Sequence, residues 1–221
     1  MNHLAHLFLA DDDAESLIGN LAADFLKGPI PHDLASGVQR GIALHRKVDA
    51  FTDSHETVMR SRQRLFERWH HHARIIVDVA YDHFLSREWS RYHSVPLPRF
   101  IDATYVTLLR AVDLAPPELR RPLPRMIEND WLSRCGDIEG VRNALRFISR
   151  RMRRDIGLED AADDVERMRD ELSGDFATFF PQLIRAVEKW NAPDQTIHGT
   201  STAERDTGLS PVSDGDSASS T

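Results

Sequence analysis

The stretch that decides the fold is Ile75-Ile76-Val77-Asp78-Val79-Ala80-Tyr81-Asp82-His83-Phe84-Leu85. Its apolar residues cover nearly every side of a helical wheel, the pattern of a helix buried in the middle of a domain. Two acids, Asp78 and Asp82, sit one turn apart inside it. Each ion left unpaired there costs several kcal/mol, against roughly 1.5 to 3 kcal/mol gained by burying one Ile or Leu. Something must therefore compensate at least one of them: an arginine, a proton retained by a raised pKa, or a divalent cation held with histidines.

The two segments before it repeat the pattern. In a helix reaching Phe25, Leu17, Leu21 and Asp24 fall within a sector of roughly 60°, which places a carboxylate on the apolar face beside Asn20. Asp11 to Asp13 supply the N-cap and the favourable dipole charge that start this helix. In the next helix Leu44, Val48 and Phe51 share a face, with His45 and Asp49 four apart along its edge and Asp53 continuing it. A His and an Asp one turn apart either ligate one cation together or form a hydrogen-bonded pair in which the acid orients the ring. Three helices with embedded acids and histidines favour a shared metal, with His45, His83 or His6 as the nitrogen donors. Mixed His and Asp without a usable thiolate suits Mn, Fe, Mg or Zn in a hydrolytic site better than a structural zinc.

From Leu4 to Trp190 apolar residues recur mostly at helical spacing, and no run alternates on the strand pattern, so the fold class is all-α: a single multi-helix bundle over residues 1–191. Breaks are predicted at Lys27 to Pro31, Val95 to Pro98, Ala115 to Pro117, Pro122 to Pro124, Cys135-Gly136, and near Gly157 and Gly174. Residues 192–221 are rich in Ser, Thr, Gly and Asp and carry four of the seven net negative charges. Such a composition does not recover the entropy of ordering and predicts a disordered acidic tail.

The rest of the chain is close to neutral, with no basic excess to hold nucleic acid. Met1 to His6 lacks a basic region before its short apolar run, and Asp11 to Asp13 end that run, so neither secretion nor membrane insertion is expected. The single cysteine, Cys135, excludes an intrachain disulfide and fits the reducing cytoplasm. Ten of the eleven histidines lie at or before His93, which puts any imidazole-based site in the first half. His70-His71-His72 is read as a solvated run at a helix junction, because consecutive residues point to different sides. Arg60, Arg62, Arg64 and Arg68 are read as a solvated basic face. The four tryptophans are read as packing residues.

Met1-Asn2 with Leu4-Ala5-His6-Leu7, then Gly19-Asn20-Leu21 with Ala23-Asp24-Phe25, resemble the opening of the acyl carrier protein phosphodiesterases. Gly41-Ile42, His45-Arg46, Asp49, Thr52-Asp53, Asp78-Val79, Asp82-His83-Phe84-Leu85-Ser86-Arg87 and Trp89 are similar to the remaining motifs of that family. The likeness is specific through Trp89 and thinner to Trp190, where Trp131-Leu132 and Phe179-Phe180-Pro181 anchor it. Family members tend to carry a further His at the positions of Phe8 and Ala43, and His3 is an addition here.

The resemblance implies a helical fold related to the HD phosphohydrolases, and hydrolysis of the phosphodiester joining phosphopantetheine to a serine of acyl carrier protein, a step in fatty acid and lipid metabolism. It implies manganese as the metal, with Mg or Fe as alternatives. Carried over by position, the matching residues are His6, Asp24, His45, Asp49, Asp78, Asp82 and His83; of these His6, Asp24, His45, Asp78, Asp82 and His83 are the expected ligands, Asp24, His45, Asp82 and His83 are expected to be catalytic, and Asn20, Asp49 and Asp53 are expected to support them. The competing readings are an HD-type hydrolase of a nucleotide or other small phosphodiester, and a non-catalytic helical module that binds a carrier protein or a metal. For an acidic carrier, Arg142, Arg146, Arg150 and Arg153 share a sector of roughly 80° on a predicted helix and form the expected docking face.

Overall fold

Two helices meet backbone to backbone at the centre of the first half. Helix α1 (His3–Leu9) leads into α2 (Ala14–Ala22), which packs along α3 (Ser36–Ser54). Gly19 and Gly41 lie at their contact, where a β-carbon on either would stand 2.9 Å from the Cα of the other. Asp13 caps α2 by accepting from the Ser16 N–H at 2.9 Å, as its sequence predicts. Glu15 reaches across to the start of α3 and accepts from the Gly37 N–H at 2.7 Å, tying the two helices together at one end.

The coordinates are those of a computed structural model, which describes residues 1–152 and 155–192; the predicted tail beyond Ala192 lies outside the described residues. The remaining helices are α4 (Glu56–Trp69), α5 (Ala73–Arg87), α6 (Leu97–Arg110), α7 (Pro117–Arg120), α8 (Leu123–Glu128), α9 (Ile138–Ser149), α10 (Ala161–Arg167) and α11 (Arg169–Asn191), with short 3-10 turns between several of them. No strand occurs among the described residues, so the fold is all-α. No helix among the described residues is long and apolar enough to cross a membrane.

Helix α5, the stretch from which the fold was read, lies in the interior with Ile76, Val77, Ala80, Tyr81 and Leu85 fully buried. Helix α11 packs against it, and Tyr81, Phe176, Phe179 and Phe180 form the aromatic centre of the core. Each such side chain contributes about 1.5 to 3 kcal/mol of burial. The hydroxyl of Tyr81 is paired with Ser61 at 2.9 Å, so its burial leaves no orphaned group.

Most predicted breaks fall at helix ends: Pro96, Pro116 and Pro122 stand at the N-caps of α6, α7 and α8, and Gly157 adopts φ +64 before a 3-10 turn. Gly174 is different. It lies inside α11, which also runs through Pro181 without stopping. The packing of α11 on the core outweighs a local penalty of about 1 kcal/mol for an internal glycine.

A second correction concerns the arginines of α4. Arg60 donates to Asp175 at 2.9 Å and Arg64 approaches the same buried carboxylate at 3.4 Å, while Arg68 donates to buried Asp164 at 2.9 Å. These side chains are not a free solvated face but the partners that let α10 and α11 bury an acid each. His70 and His71 are exposed on a 3-10 turn between α4 and α5, as their spacing predicts.

Candidate functional site

Three residues offer ligand atoms that all lie within 4.8 Å of one another: His6 from α1, and His45 and Asp49 from α3. The helical spacing of His45 and Asp49 puts both on the face that α1 covers, and α1 brings His6 over it. The two imidazoles stack at 3.6 Å between centroids, nearly parallel. Asp49 faces both rings, with Oδ1 3.2 Å from His6 Nε2 and Oδ2 3.4 Å from His45 Nε2. Both histidines are buried, yet Nδ1 of each lacks a hydrogen-bond partner, and Nε2 of His6 meets Asp49 without the alignment of a full hydrogen bond.

Buried polar atoms are rarely left so, and two nitrogens aimed with a carboxylate at one point form a donor set suited to a divalent cation. Burial pushes His6 down to about 4, only partly offset by Asp49 and reinforced by the neighbouring His45, so the ring is neutral at pH 7. Burial alone would raise Asp49, but its contacts with His45 and His6 outweigh that and hold it well below the usual carboxylate range. His6 and Asp49 are thus in the protonation states a metal requires.

Asp24 stands beside this cluster, its Oδ1 3.5 Å from His45 Nε2. It lies on a 3-10 turn, Ala23–Phe25, because α2 ends at Ala22; the helical wheel that placed it on a buried face runs past the helix. Its side chain is 43% exposed, making it the open edge of the site. Its Oδ2 lies 3.2 Å from Nε2 of His3, whose Nδ1 accepts from the Trp131 indole N–H at 3.1 Å. An indole only donates, so that contact places the proton of a neutral His3 on Nε2, facing Asp24. Partial burial would raise Asp24, but His3 above all, then His45 and His6, bring it down to about 2.

Asp82 is the fully buried acid that the sequence of α5 predicts, and the structure supplies its compensation. Its two oxygens accept from the N–H groups of Leu4 at 2.7 Å and Ala5 at 3.2 Å, so the carboxylate caps the N-terminus of α1. Burial nevertheless raises it to about 6, the two N–H groups offsetting part of the effect. Since this pKa lies above its unfolded value, the group's contribution to stability is present at low pH and is lost as pH rises through about 6. The stability of an Asp82→Asn protein relative to the parent is therefore expected to improve between about pH 4 and 7, by a few kcal/mol at most, in chemical denaturation without metal. A pH-independent difference would refute that account.

Asp78 is half-buried rather than buried, with Oδ1 3.2 Å from the Met1 nitrogen, which also lies 3.7 Å from Asp49. His83 points elsewhere: its Nδ1 meets the carbonyl of Cys135 at 2.8 Å, and its charged neighbours are Arg87, Glu166 and Asp137. Adjacent residues on a helix diverge by about 100°, so Asp82 and His83 serve different sides of α5. Asn20 is fully buried and donates to Ser16. Asp53 pairs with Arg62 and Arg74. Phe8 packs on Trp89 and Phe180, so this position is core here. The sequence reading missed His3 as the neighbour of Asp24 and Trp131 as the donor that holds His3; the one available signal was a histidine three residues ahead of His6. It also gave Asp49 a supporting place, whereas its carboxylate faces both buried imidazoles.

On α9, Arg142 is tied to Glu139 and Asp163, and Arg146 lies 3.6 Å from Glu159. Arg150 is exposed, and Arg153 lies outside the described residues.

The profile of the family described as acyl carrier protein phosphodiesterase matches residues 1–183. A protein named acyl carrier protein phosphodiesterase in Serratia proteamaculans is 34% identical over 189 residues, covering 85% of this chain and 98% of that one. Proteins of the same name in Klebsiella pneumoniae and Escherichia coli are each 32% identical, over 189 and 190 residues. No solved structure is significantly similar to the chain.

Proposed function

The chain belongs to the acyl carrier protein phosphodiesterase family, and from that premise we propose that it hydrolyses the phosphodiester of holo-acyl carrier protein at the His6–His45–Asp49–Asp24 corner. In the balanced reaction, a water oxygen bonds to phosphorus, the bond from phosphorus to the seryl oxygen breaks, and that oxygen takes a proton, leaving apo-carrier and 4'-phosphopantetheine. The observation that carries the reading is the pair of stacked, buried imidazoles with unpartnered nitrogens facing one ionised carboxylate.

In this reading His6, His45 and Asp49 hold the metal. A bound divalent cation supplies a polarised phosphoryl oxygen and a water whose pKa falls toward about 7. Manganese fits a borderline nitrogen and oxygen donor set. Asp24, ionised and the most open of the acids, orients the attacking water by accepting a hydrogen bond from it, and His3 keeps its carboxylate turned toward His45. Asp78 and Asp82 support the corner from α5. A cytoplasmic location and a place in fatty acid metabolism accord with this substrate.

The test is incubation of purified protein with holo-carrier, before and after chelation and with Mn or Mg restored. Mass spectrometry should record apo-carrier and free phosphopantetheine only with metal. Activity confined to nucleotides, or carrier binding without turnover, would overturn the reading.

Docking of the acidic carrier falls to α9. Just past its end, Arg150 and Arg151 form no salt bridge among the described residues, and Arg151 lies over the ring of Phe147, which is 62% exposed. An aromatic with cations around it suits an acidic, partly apolar partner. Arg150→Glu, alone or with Arg146→Glu, is expected to raise KM for the carrier severalfold at low salt. The effect should shrink near 0.15 M, where the Debye length is about 8 Å. Hydrolysis of a small phosphodiester should be spared, and equal effects on both substrates would exclude this helix.

A further inference from the structure

The metal-binding corner is crowded with carboxylates, namely Asp24, Asp49, Asp78 and Asp82. A phosphodiester carries a negative charge into it. The Met1 ammonium sits among these carboxylates, 3.2 Å from Asp78 and 3.7 Å from Asp49, and two arginines flank the outer edge, Arg62 of α4 and Arg74 at the start of α5. Arg62 Nη2 lies 2.8 Å from Asp53 Oδ1 and 3.9 Å from Asp78 Oδ1, and Arg74 Nη2 lies 3.0 Å from Asp53 Oδ2. Asp53 follows Asp49 by one turn of α3, about 6 Å along the helix axis.

These two arginines differ from the others of α4. Arg60, Arg64 and Arg68 hold carboxylates of Asp175 and Asp164 that have almost no exposure, so those pairs belong to the core. Arg62 and Arg74 instead meet partly exposed carboxylates, Asp53 shared by both and Asp78 at 3.9 Å from Arg62, and keep N–H donors beyond those contacts. The Nε of Arg62 is buried and has no partner at all. A buried charged donor without an acceptor is costly, and a bound anion or a water at this point would satisfy it.

We propose that Arg62 and Arg74 form an anion-binding wall that takes the non-bridging oxygens of the substrate's phosphoryl group; this rests on the phosphodiesterase reading above. A planar guanidinium matches two oxygens of a phosphoryl group with parallel N–H bonds, which a single ammonium does not. Asp53 is the placeholder: it keeps both side chains at the edge of the corner until an anion competes for them.

The probe is inorganic phosphate, titrated calorimetrically into the full-length protein in EDTA at low salt, beside steady-state kinetics with metal restored. Arg62→Gln is expected to weaken phosphate binding about tenfold or more and to lower kcat/KM for holo-carrier at least as much, with Arg62→Lys recovering only part. Arg74→Gln should act in the same direction with a smaller effect. Asp53→Asn, which frees both guanidiniums, should tighten phosphate binding severalfold; a purely structural network would yield only a lowered Tm there, so this variant decides the matter even if Arg62→Gln folds poorly. Unchanged phosphate affinity in folded Arg62→Gln, or no tightening in Asp53→Asn, overturns the proposal. If phosphate binding depends on Arg62 but the parent releases no phosphopantetheine, the substrate assignment fails and the anion site stands.

Discussion

Replacing His45 with alanine is expected to lower phosphopantetheine release by more than about a hundredfold while the chain remains folded. Changes to residues that merely orient a metal ligand already cost about 10 to 100-fold in affinity or activity, and His45 is proposed as a ligand itself. It is the hub of the corner: its Nε2 lies 3.5 Å from Asp24 and 3.4 Å from Asp49, and its ring stacks on His6. Without it Asp24 and Asp49 lose a shared neighbour that lowers both carboxyls. The fold loses one stacked ring, a cost within the usual 0.5 to 3 kcal/mol of a single substitution. His83→Ala is the control, since among the described residues its imidazole hydrogen-bonds to the Cys135 carbonyl and to no residue of the corner; it is expected to cost some stability and to leave turnover within a few-fold. Measured kcat/KM for both variants, with bound metal determined by elemental analysis, separates the roles. A His45→Ala protein that keeps near-parental turnover would remove the basis of the proposed site.

The contrast between these two histidines marks how far the sequence could be read. Local periodicity was sufficient for the helices, for the burial of Asp82 and for the juxtaposition of His45 and Asp49, because all of these are set within one element. It failed where two elements decide. Asp24 faces the site from a 3-10 turn rather than from a helix face, and that tightening depends on how the chain leaves α2. The compensation of Asp82 comes from backbone N–H groups some 78 residues away in sequence, which no side-chain pattern encodes. His83 looked equivalent to Asp82 in a chain of letters, yet 100° of rotation sends it to the Cys135 side. The arginines of α4 looked solvated because their partners, Asp164 and Asp175, lie on α10 and α11. The glycines were the exception: Gly19 and Gly41, each inside a helical pattern, are a local signal of close tertiary approach.

That approach predicts the largest structural effect in the molecule. In an unobstructed helix, Gly→Ala stabilises by up to about 1 kcal/mol, because alanine loses less backbone entropy on folding. Gly174 meets that condition, since a β-carbon there touches nothing within 4 Å, and Gly174→Ala is expected to raise Tm slightly. At Gly41 the new methyl would stand 2.5 Å from the Ser16 carbonyl oxygen and 2.9 Å from the Gly19 Cα, and at Gly19 it would stand 2.2 Å from the Val38 carbonyl oxygen. These obstacles are backbone atoms of the opposing helix, so no side chain can rotate away and α2 must part from α3. Overpacking of this kind costs about 1 to 3 kcal/mol and sometimes more. For a chain of this size that is a fall of roughly 3 to 10 °C in Tm for Gly41→Ala. The separation also displaces Asp24, on the 3-10 turn that follows α2, from His45, which α3 carries, and a misplacement near 1 Å can cost about a hundredfold in rate. Thermal melts followed by circular dichroism, with kcat measured well below each Tm, test both halves of the prediction. Should Gly41→Ala match Gly174→Ala in stability and the parent in rate, the two helices do not meet as closely as the structure has them, and the placement of Asp24 against His45 falls with that contact.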